Sequence, residues 1–357
     1  MLIDADVFDR LGSVLRHLVV GLLEHSFQIR VLGSDPRVDS LQLGPVSTLV
    51  HPRIRGPFAG QRIRGIAEQV SPPGPAALIC FGATTYALAS ELAKELDAEV
   101  ALYCSSLNNL AAFRGAAFDR EVYGLAATGP LLQRLEREPG FAPERVELIR
   151  PGILASTTDV RAPQGERVPC LLCTAPYEAG SGVDLLVEAA AILRQREREF
   201  LLFLLGEGRR EGALRKQART LDLSGSVTFA QPGGDPTPAV ESADVFVDPR
   251  VDSAVFSESL EAMGAGVAVV SFAGDVYDHL LADETACVCA DESAKALADA
   301  LEALIVDPSR RQQIAAGGLA YVRKHHTITG MASGVAEVVR RLTASRMTFP
   351  LKEAADR

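Results

Sequence analysis

Apolar and polar positions alternate in two distinct ways along this chain. Short apolar runs, such as Ala77-Leu-Ile-Cys-Phe81 and Leu201-Leu-Phe-Leu-Leu205, are bounded by turn residues. Between them lie longer stretches in which apolar residues return every three or four positions, the period of a helix buried on one face. Strand and helix patterns follow one another through the whole chain, which predicts an α/β protein with parallel sheets. In the first half the pattern predicts a strand at 2–5, an amphipathic helix at about 13–24 and a strand at 28–32. A region punctuated by Pro45, Pro52, Pro57, Pro72 and Pro73 reads as irregular. Beyond it come a strand at 77–81, a helix at 85–96, a strand at 99–103, a helix at 129–137 and a strand at 146–150.

A polar stretch at 157–167, containing Pro163, reads as a linker, after which the pattern restarts. Strand 168–173 precedes helix 182–196, whose Leu185, Leu186, Ala189 and Leu193 share a face. Strand 200–205 runs into Gly206-Glu-Gly208, followed by helix 209–221 and strand 226–229. A short helix at 237–241 is predicted with Thr237 as N-cap and Pro238 in the first helical position. Strand 244–248, helix 256–265, strand 267–271, helix 275–281, strand 286–289 and helices 293–306 and 308–324 complete the second half. One more helix, at about 331–344, follows the completed pattern. The expected architecture is two Rossmann-like domains facing across a cleft: 1–157 with the C-terminal helix 331–345, and 168–330. Open α/β sheets bind ligands at the carboxyl ends of their strands, so the expected site lies there.

Composition narrows the function. The 357 residues are 47% apolar and 23% charged, which excludes a disordered, collagenous or coiled-coil chain. Met1 leads into Leu-Ile-Asp-Ala-Asp with no basic n-region, and no apolar stretch approaches bilayer length. The expectation is a cytoplasmic protein, with peripheral attachment to the inner face of the membrane as an extension of it. A net charge of −10 argues against nucleic acid as a partner. Arg53, Arg55, Arg62 and Arg64 stand out within that acidic chain. They read either as a solvated face or as a contact for anionic lipid or a phosphorylated acceptor. The six cysteines are too few for a disulfide framework. Cys170 and Cys173 sit in an apolar run, as do Cys287 and Cys289, so both pairs read as strand packing and no metal site is expected. His325 and His326, near a helix end, read as a favourable pair for the helix dipole.

Several segments occur together in a fixed order: Gly182-Val-Asp-Leu-Leu-Val-Glu-Ala, Leu204-Leu-Gly-Glu-Gly208, Val227-Thr-Phe, Ala243-Asp-Val-Phe-Val-Asp-Pro249, Glu261-Ala-Met-Gly-Ala-Gly-Val-Ala-Val-Val270 and Asp307-Pro-Ser-Arg-Arg. This ordered set resembles the family 4 glycosyltransferases (glycosyl transferases group 1), which have the GT-B fold. Leu11-Gly-Ser and Leu148-Ile-Arg-Pro-Gly-Ile extend the resemblance more loosely into the first half. The resemblance implies transfer of a sugar from a UDP- or GDP-linked donor to a hydroxyl of a glycan or lipid-linked acceptor, with no further cofactor and no metal. It implies a nucleotide on the C-terminal domain, an acceptor on the N-terminal one, and a final helix that crosses back to the N-terminal domain. Another biosynthetic enzyme is a further implied partner.

The resemblance also assigns residues. In that family an Arg and a Lys in the first C-terminal loop stabilise the diphosphate, and two Glu eight positions apart hold the sugar and the ribose. Here the two cations fall on Pro176 and Ser181, the first Glu falls on Ser253, and the second is retained as Glu261. The Gly-Gly before the donor-sugar helix is Gly274-Asp275, and its Glu is Asp278. One lost transition-state donor costs about 3–4 kcal/mol, so the departures bear directly on activity. The candidate donor-binding set is Ser181, Gly182, Gly206, Gly208, Arg209, Ser253, Glu261 and Asp278, with Gly12 at a helix start as a phosphate or acceptor contact. Arg250 and Glu258 are candidate catalytic substitutes, Arg250 read either as a cleft-edge cation or as a solvated one. Two readings therefore stand together: a glycosyltransferase with an atypical, impaired donor site, and an inactive relative that serves as a binding or scaffolding partner. A dehydrogenase is disfavoured, because a single Gly follows the first strand where G-x-G-x-x-G is required.

Overall fold

The structure is a computed structural model. It describes residues 1–347 except 53, 55, 72, 73, 75, 115–121, 161–166, 234, 235 and 252, and gives only the backbone for 345–347. Arg53, Arg55 and most of the predicted linker thus lie outside the described residues. The chain divides into two compact units. The first comprises Met1–Gly152, Ser253–Val255 and Ile328–Arg357, and the second Ile153–Asp252 and Phe256–Thr327.

In the first unit the strands are β1 (Leu2–Ile3), β2 (Arg30–Gly33), β3 (Ser47–Val50), β4 (Ala77–Phe81), β5 (Glu99–Cys104), β6 (Tyr123–Ala126) and β7 (Val146–Leu148). They form one parallel sheet in the order β3-β2-β1-β4-β5-β6-β7. Its helices are α1 (Ala5–Glu24), α2 (Ala59–Val70), α3 (Tyr86–Glu95), α4 (Leu107–Arg114) and α5 (Gly129–Leu135). Two expectations change here. The first helix starts at Ala5, not at 13, because Asp4 caps it: its Oδ1 accepts from the backbone of Val7 at 3.1 Å. A kink at Leu11 (φ −135°) then separates two helical stretches, and the second, carrying Gly12, is the one that the hydrophobic period reveals. The region read as irregular holds β3 and α2, the latter burying Ile63, Ile66, Ala67 and Val70 on one face.

The second unit contains β8 (Cys170–Cys173), α6 (Val183–Gln195), β9 (Leu201–Leu205), α7 (Glu211–Thr220), β10 (Val227–Ala230), α8 (Thr237–Ser242), β11 (Val245–Asp248), α9 (Glu258–Gly264), β12 (Ala268–Ser271), β13 (Cys287–Val288), α10 (Ala294–Val306) and α11 (Pro308–His325). Its parallel sheet runs β10-β9-β8-β11-β12-β13. The core is aliphatic, with Leu186, Val187, Leu193, Leu204, Val247 and Leu301 fully buried. The predicted helix at 275–281 is absent; turns and bends replace it, and Val276 and His279 are fully buried. Thr237 is not a cap: it lies inside α8, whose N-cap is Pro236 with no side-chain bond. His326 caps α11 through its backbone and is fully buried, so it is no surface dipole partner. The cysteines are free, and Cys173, Cys287 and Cys289 are buried in the strand region as expected.

Helix α12 (Ile328–Met347) belongs to the first unit. It packs on α1, where a Cβ on Gly21 would fall 2.5 Å from that of Ala332, so the two helices meet closely at a glycine.

Candidate active site

The carboxyl ends of β8, β9, β11 and β12 carry almost all of the candidate donor-binding residues. After β8 the chain forms the loop 174–182, which leads into α6 with Gly182 as its N-cap. Gly182 has φ +75°, and a Cβ there would fall 1.9 Å from the carbonyl oxygen of Pro249, so only glycine fits between α6 and the end of β11. Ser181 beside it is 8% exposed. The centre of the loop is Tyr177. Its hydroxyl donates to the carbonyl of Leu204 at 2.7 Å, its backbone N–H donates to Glu207 at 2.9 Å, and its carbonyl accepts from Arg210 at 2.9 Å. Gly206 is required here, since its Cβ would meet the Tyr177 ring at 2.8 Å and the Ala175 carbonyl at 2.6 Å; Gly208 approaches the Tyr177 carbonyl in the same way. The loops after β8 and β9 are thereby clasped into one surface. Ser181 and Gly182 close the first of these loops, and Gly206 and Gly208 lie in the second.

The cations at this surface are arranged less simply. Arg210 pairs with Asp184 at 3.0 Å. The Arg209 backbone N–H donates to Glu178 at 3.0 Å, and its side chain is exposed. Arg250 is neither cleft-edge nor solvated. It is 4% exposed, with Nε 2.7 Å and Nη2 3.0 Å from the two Asp248 oxygens. Nη1 and Nη2 also reach the Glu258 carboxylate at 3.2 and 3.3 Å, and the guanidinium stacks on Phe256 at 3.8 Å. Burial works against its charge, but the fields of Asp248 and then Glu258 outweigh burial and hold it protonated. Burial pushes the Glu258 carboxyl above its usual range, against the pull of Arg250. Both candidate catalytic substitutes are thus spent on each other. Sequence reading missed Asp248, although an Asp closing a strand two residues before an Arg was the available signal.

Glu261 lies three residues beyond Glu258 on α9 and is half-buried. Ser253, in the position of the lost Glu, is structurally part of the first unit: its carbonyl accepts from Leu107, and Ala254 bridges to Ser106. In that unit Arg10, 3% exposed, donates to Ser105 Oγ at 3.2 Å and to the Val255 carbonyl at 3.0 Å. Gly12, just past the α1 kink, borders open space: a Cβ there would meet nothing within 4 Å. Asp278 is half-buried, and its carbonyl accepts from the Tyr321 hydroxyl at 2.8 Å. The next residue, His279, is fully buried, with Nε2 3.0 Å from Ser259 Oγ and no hydrogen-bond partner for Nδ1. Burial pushes its imidazole down to about 4. Among the described residues, no group of three or more His, Cys, Asp or Glu is placed to hold a metal. No described helix is long and apolar enough to cross a membrane.

Comparison with known proteins gives this geometry its class: the fold is that of the GT-B glycosyltransferases. A glycosyltransferase from Rickettsia africae ESF-5 superposes with a TM-score of 0.75 at 13% identity, over 96% of this chain and 98% of that one. HepE from Anabaena, solved in complex with UDP-glucose, gives 0.72 at 13% identity over 94% and 98%. Residues 168–307 match the family model for glycosyl transferases group 1. The GDP-mannose-dependent alpha-(1-6)-phosphatidylinositol monomannoside mannosyltransferase of Mycobacterium tuberculosis (strain CDC 1551 / Oshkosh) is 30% identical over 194 residues, 51% of this chain and 50% of that protein. The chain spans about half the length of the curated relatives it matches.

Proposed function

We propose that this protein transfers a sugar from a nucleotide-diphosphate donor, UDP- or GDP-linked, to a hydroxyl of a glycan or lipid-linked acceptor. The observation that carries the reading is the clasp of Tyr177 onto Gly206 and Gly208 beside the glycine-started α6, inside the stretch that matches the family. It leaves a tight backbone surface at the carboxyl ends of β8 and β9, where an open parallel sheet binds its ligand. The loop 174–182 offers no cationic side chain. The leaving diphosphate would instead meet the backbone N–H groups at the start of α6 and the Ser181 hydroxyl. Glu261 would hold the ribose, and Asp278 would address the sugar. In the transfer the acceptor oxygen bonds to the anomeric carbon as the bond from that carbon to the diphosphate breaks, its electron pair leaving on the phosphate oxygen, which takes up the acceptor's hydroxyl proton.

A solved neighbour that holds UDP-glucose and a relative named for GDP-mannose support both donor types, and the phosphatidylinositol monomannoside in that relative's name supports a lipid-linked acceptor. Peripheral membrane contact is part of the same proposal. Phe58, 65% exposed, stands just before α2, which carries exposed Arg62 and Arg64. Calorimetric titration with UDP, GDP, ADP and their sugar conjugates tests the reading. Saturable micromolar binding weakened by Glu261→Ala is expected; no binding at millimolar ligand would sink it and favour a scaffold.

A further inference from the structure

Glu261 and Asp278, the two carboxylates proposed above to address one donor, stand on separate pieces of chain with β12 between them. They must keep a fixed separation if they are to hold ribose and sugar together. Ser259 and His279 join those pieces from behind. Ser259 lies two residues before Glu261, about 200° around the helix, and is 1% exposed where Glu261 is half-buried. His279 follows Asp278 directly and is fully buried. Their side chains meet at 3.0 Å, Nε2 to Oγ. The segment around His279 has other ties: the Tyr321 hydroxyl of α11 donates to the Asp278 carbonyl, the Thr285 hydroxyl bonds the His279 carbonyl and accepts from the Leu281 N–H, and the Tyr277 ring lies against Gly274. None of these contacts is made to α9 itself.

A fully buried imidazole is costly, and its Nδ1 has no hydrogen-bond partner. A leucine of similar volume would fill the same space without that cost. What the imidazole adds is a directional bond of fixed length between the two carriers of candidate ligand contacts, the use for which buried polar pairs are best suited. We infer that His279 is a positioning residue of the donor site: through Ser259 it fixes α9 against the 273–281 segment, so that Glu261 and Asp278 address one ligand at once. The inference rests on the donor-site reading above.

The test uses the full chain with His279→Leu, Ser259→Ala, the double variant and His279→Gln, whose amide restores a polar atom near Nε2. Amide hydrogen exchange without ligand reads the tie itself. Exchange should rise about tenfold in both α9 and 273–281 for His279→Leu and Ser259→Ala, and fall back in His279→Gln. Calorimetry then compares each bare nucleotide with its sugar conjugate. The preference for the conjugate should fall about tenfold in both single variants and no further in the double, while affinity for the bare nucleotide stays within about threefold. Faster exchange confined to the neighbourhood of residue 279, or equal losses for nucleotide and conjugate, overturns the inference. Wild-type protein that binds neither overturns the donor-site reading and the role of His279 in it, whatever the exchange arm shows. Should His279→Leu fail to fold, Ser259→Ala, which removes only a hydroxyl, carries the same arms.

Discussion

At the scale of single residues, the chain places charge and polarity in its interior, and each instance has a measurable signature. His279 is neutral in the folded protein because burial brings its pKa down to about 4, whereas an unfolded histidine titrates near 6.5. Between those values the unfolded chain binds the extra proton. The contribution of His279 is therefore complete above about pH 6.5 and is lost as pH falls through the window, up to about 3 kcal/mol near pH 4. Urea unfolding at pH 7 and pH 4.5 should show that loss, and His279→Leu should flatten it. Arg250 behaves differently. Its carboxylate partners are 3% and 19% exposed, so removing the guanidinium strands one buried and one half-buried carboxylate. Arg250→Ala should cost about 3–5 kcal/mol in denaturant unfolding, and Arg250→Met with Glu258→Leu should recover part of it. Affinity for nucleotide in the Arg250→Met, Glu258→Leu variant should stay close to wild type, since the structure gives Arg250 to Asp248 and Glu258 and leaves little of it for phosphate.

At the scale of elements, the donor loop depends on glycine where two backbones touch. Gly182→Ala combines a left-handed φ with a collision against Pro249, so a loss of at least about 2 kcal/mol is expected in thermal unfolding. Nucleotide affinity should fall with it, because the start of α6 must move away from β11. Gly180, also at positive φ but bordering open space, should tolerate Ala at about half that cost, which separates strain from collision. The same physics decides what could be read in the sequence. The strand at Ala77–Phe81 was legible because a buried parallel strand is a continuous apolar run, and Leu201–Leu205 likewise. Helix α2 was hidden because Arg62-Ile-Arg64-Gly65 breaks the apolar period with long polar residues on its exposed face, and prolines flank it. The first turns of α1 were hidden by Asp6, Asp9 and Arg10, although Asp4 was a valid cap. The expected helix at 275–281 failed for the opposite reason. Its apolar positions pack into the unit from turns, with the carbonyls of Asp278 and His279 taken by Tyr321 and Thr285 rather than by a helical ladder.

At the scale of the molecule, the proposed donor site could be drawn from the sequence as a set of glycines and one glutamate, but the partners of its candidate cation could not. Arg250 looked available from its place after Pro249, and only three-dimensional placement reveals that Asp248 and Glu258 take it up. What is left is a chain of net charge −10 with a donor loop that carries no cationic side chain. A nucleoside diphosphate is itself an anion, so the field of the whole protein opposes its approach, and the attractive contacts are short-range hydrogen bonds from backbone N–H groups. Salt screens the long-range opposition more than it screens those contacts, because the Debye length falls from about 10 Å at 0.1 M to shorter values above it. Affinity for UDP or GDP should therefore hold constant or tighten by up to about threefold between 50 and 300 mM sodium chloride. A donor site lined with Arg and Lys would lose affinity over the same range. Calorimetry at the two salt concentrations decides between them: a tenfold weakening would mean that a cation outside the 174–182 loop, with Arg209 the first to substitute, grips the diphosphate directly.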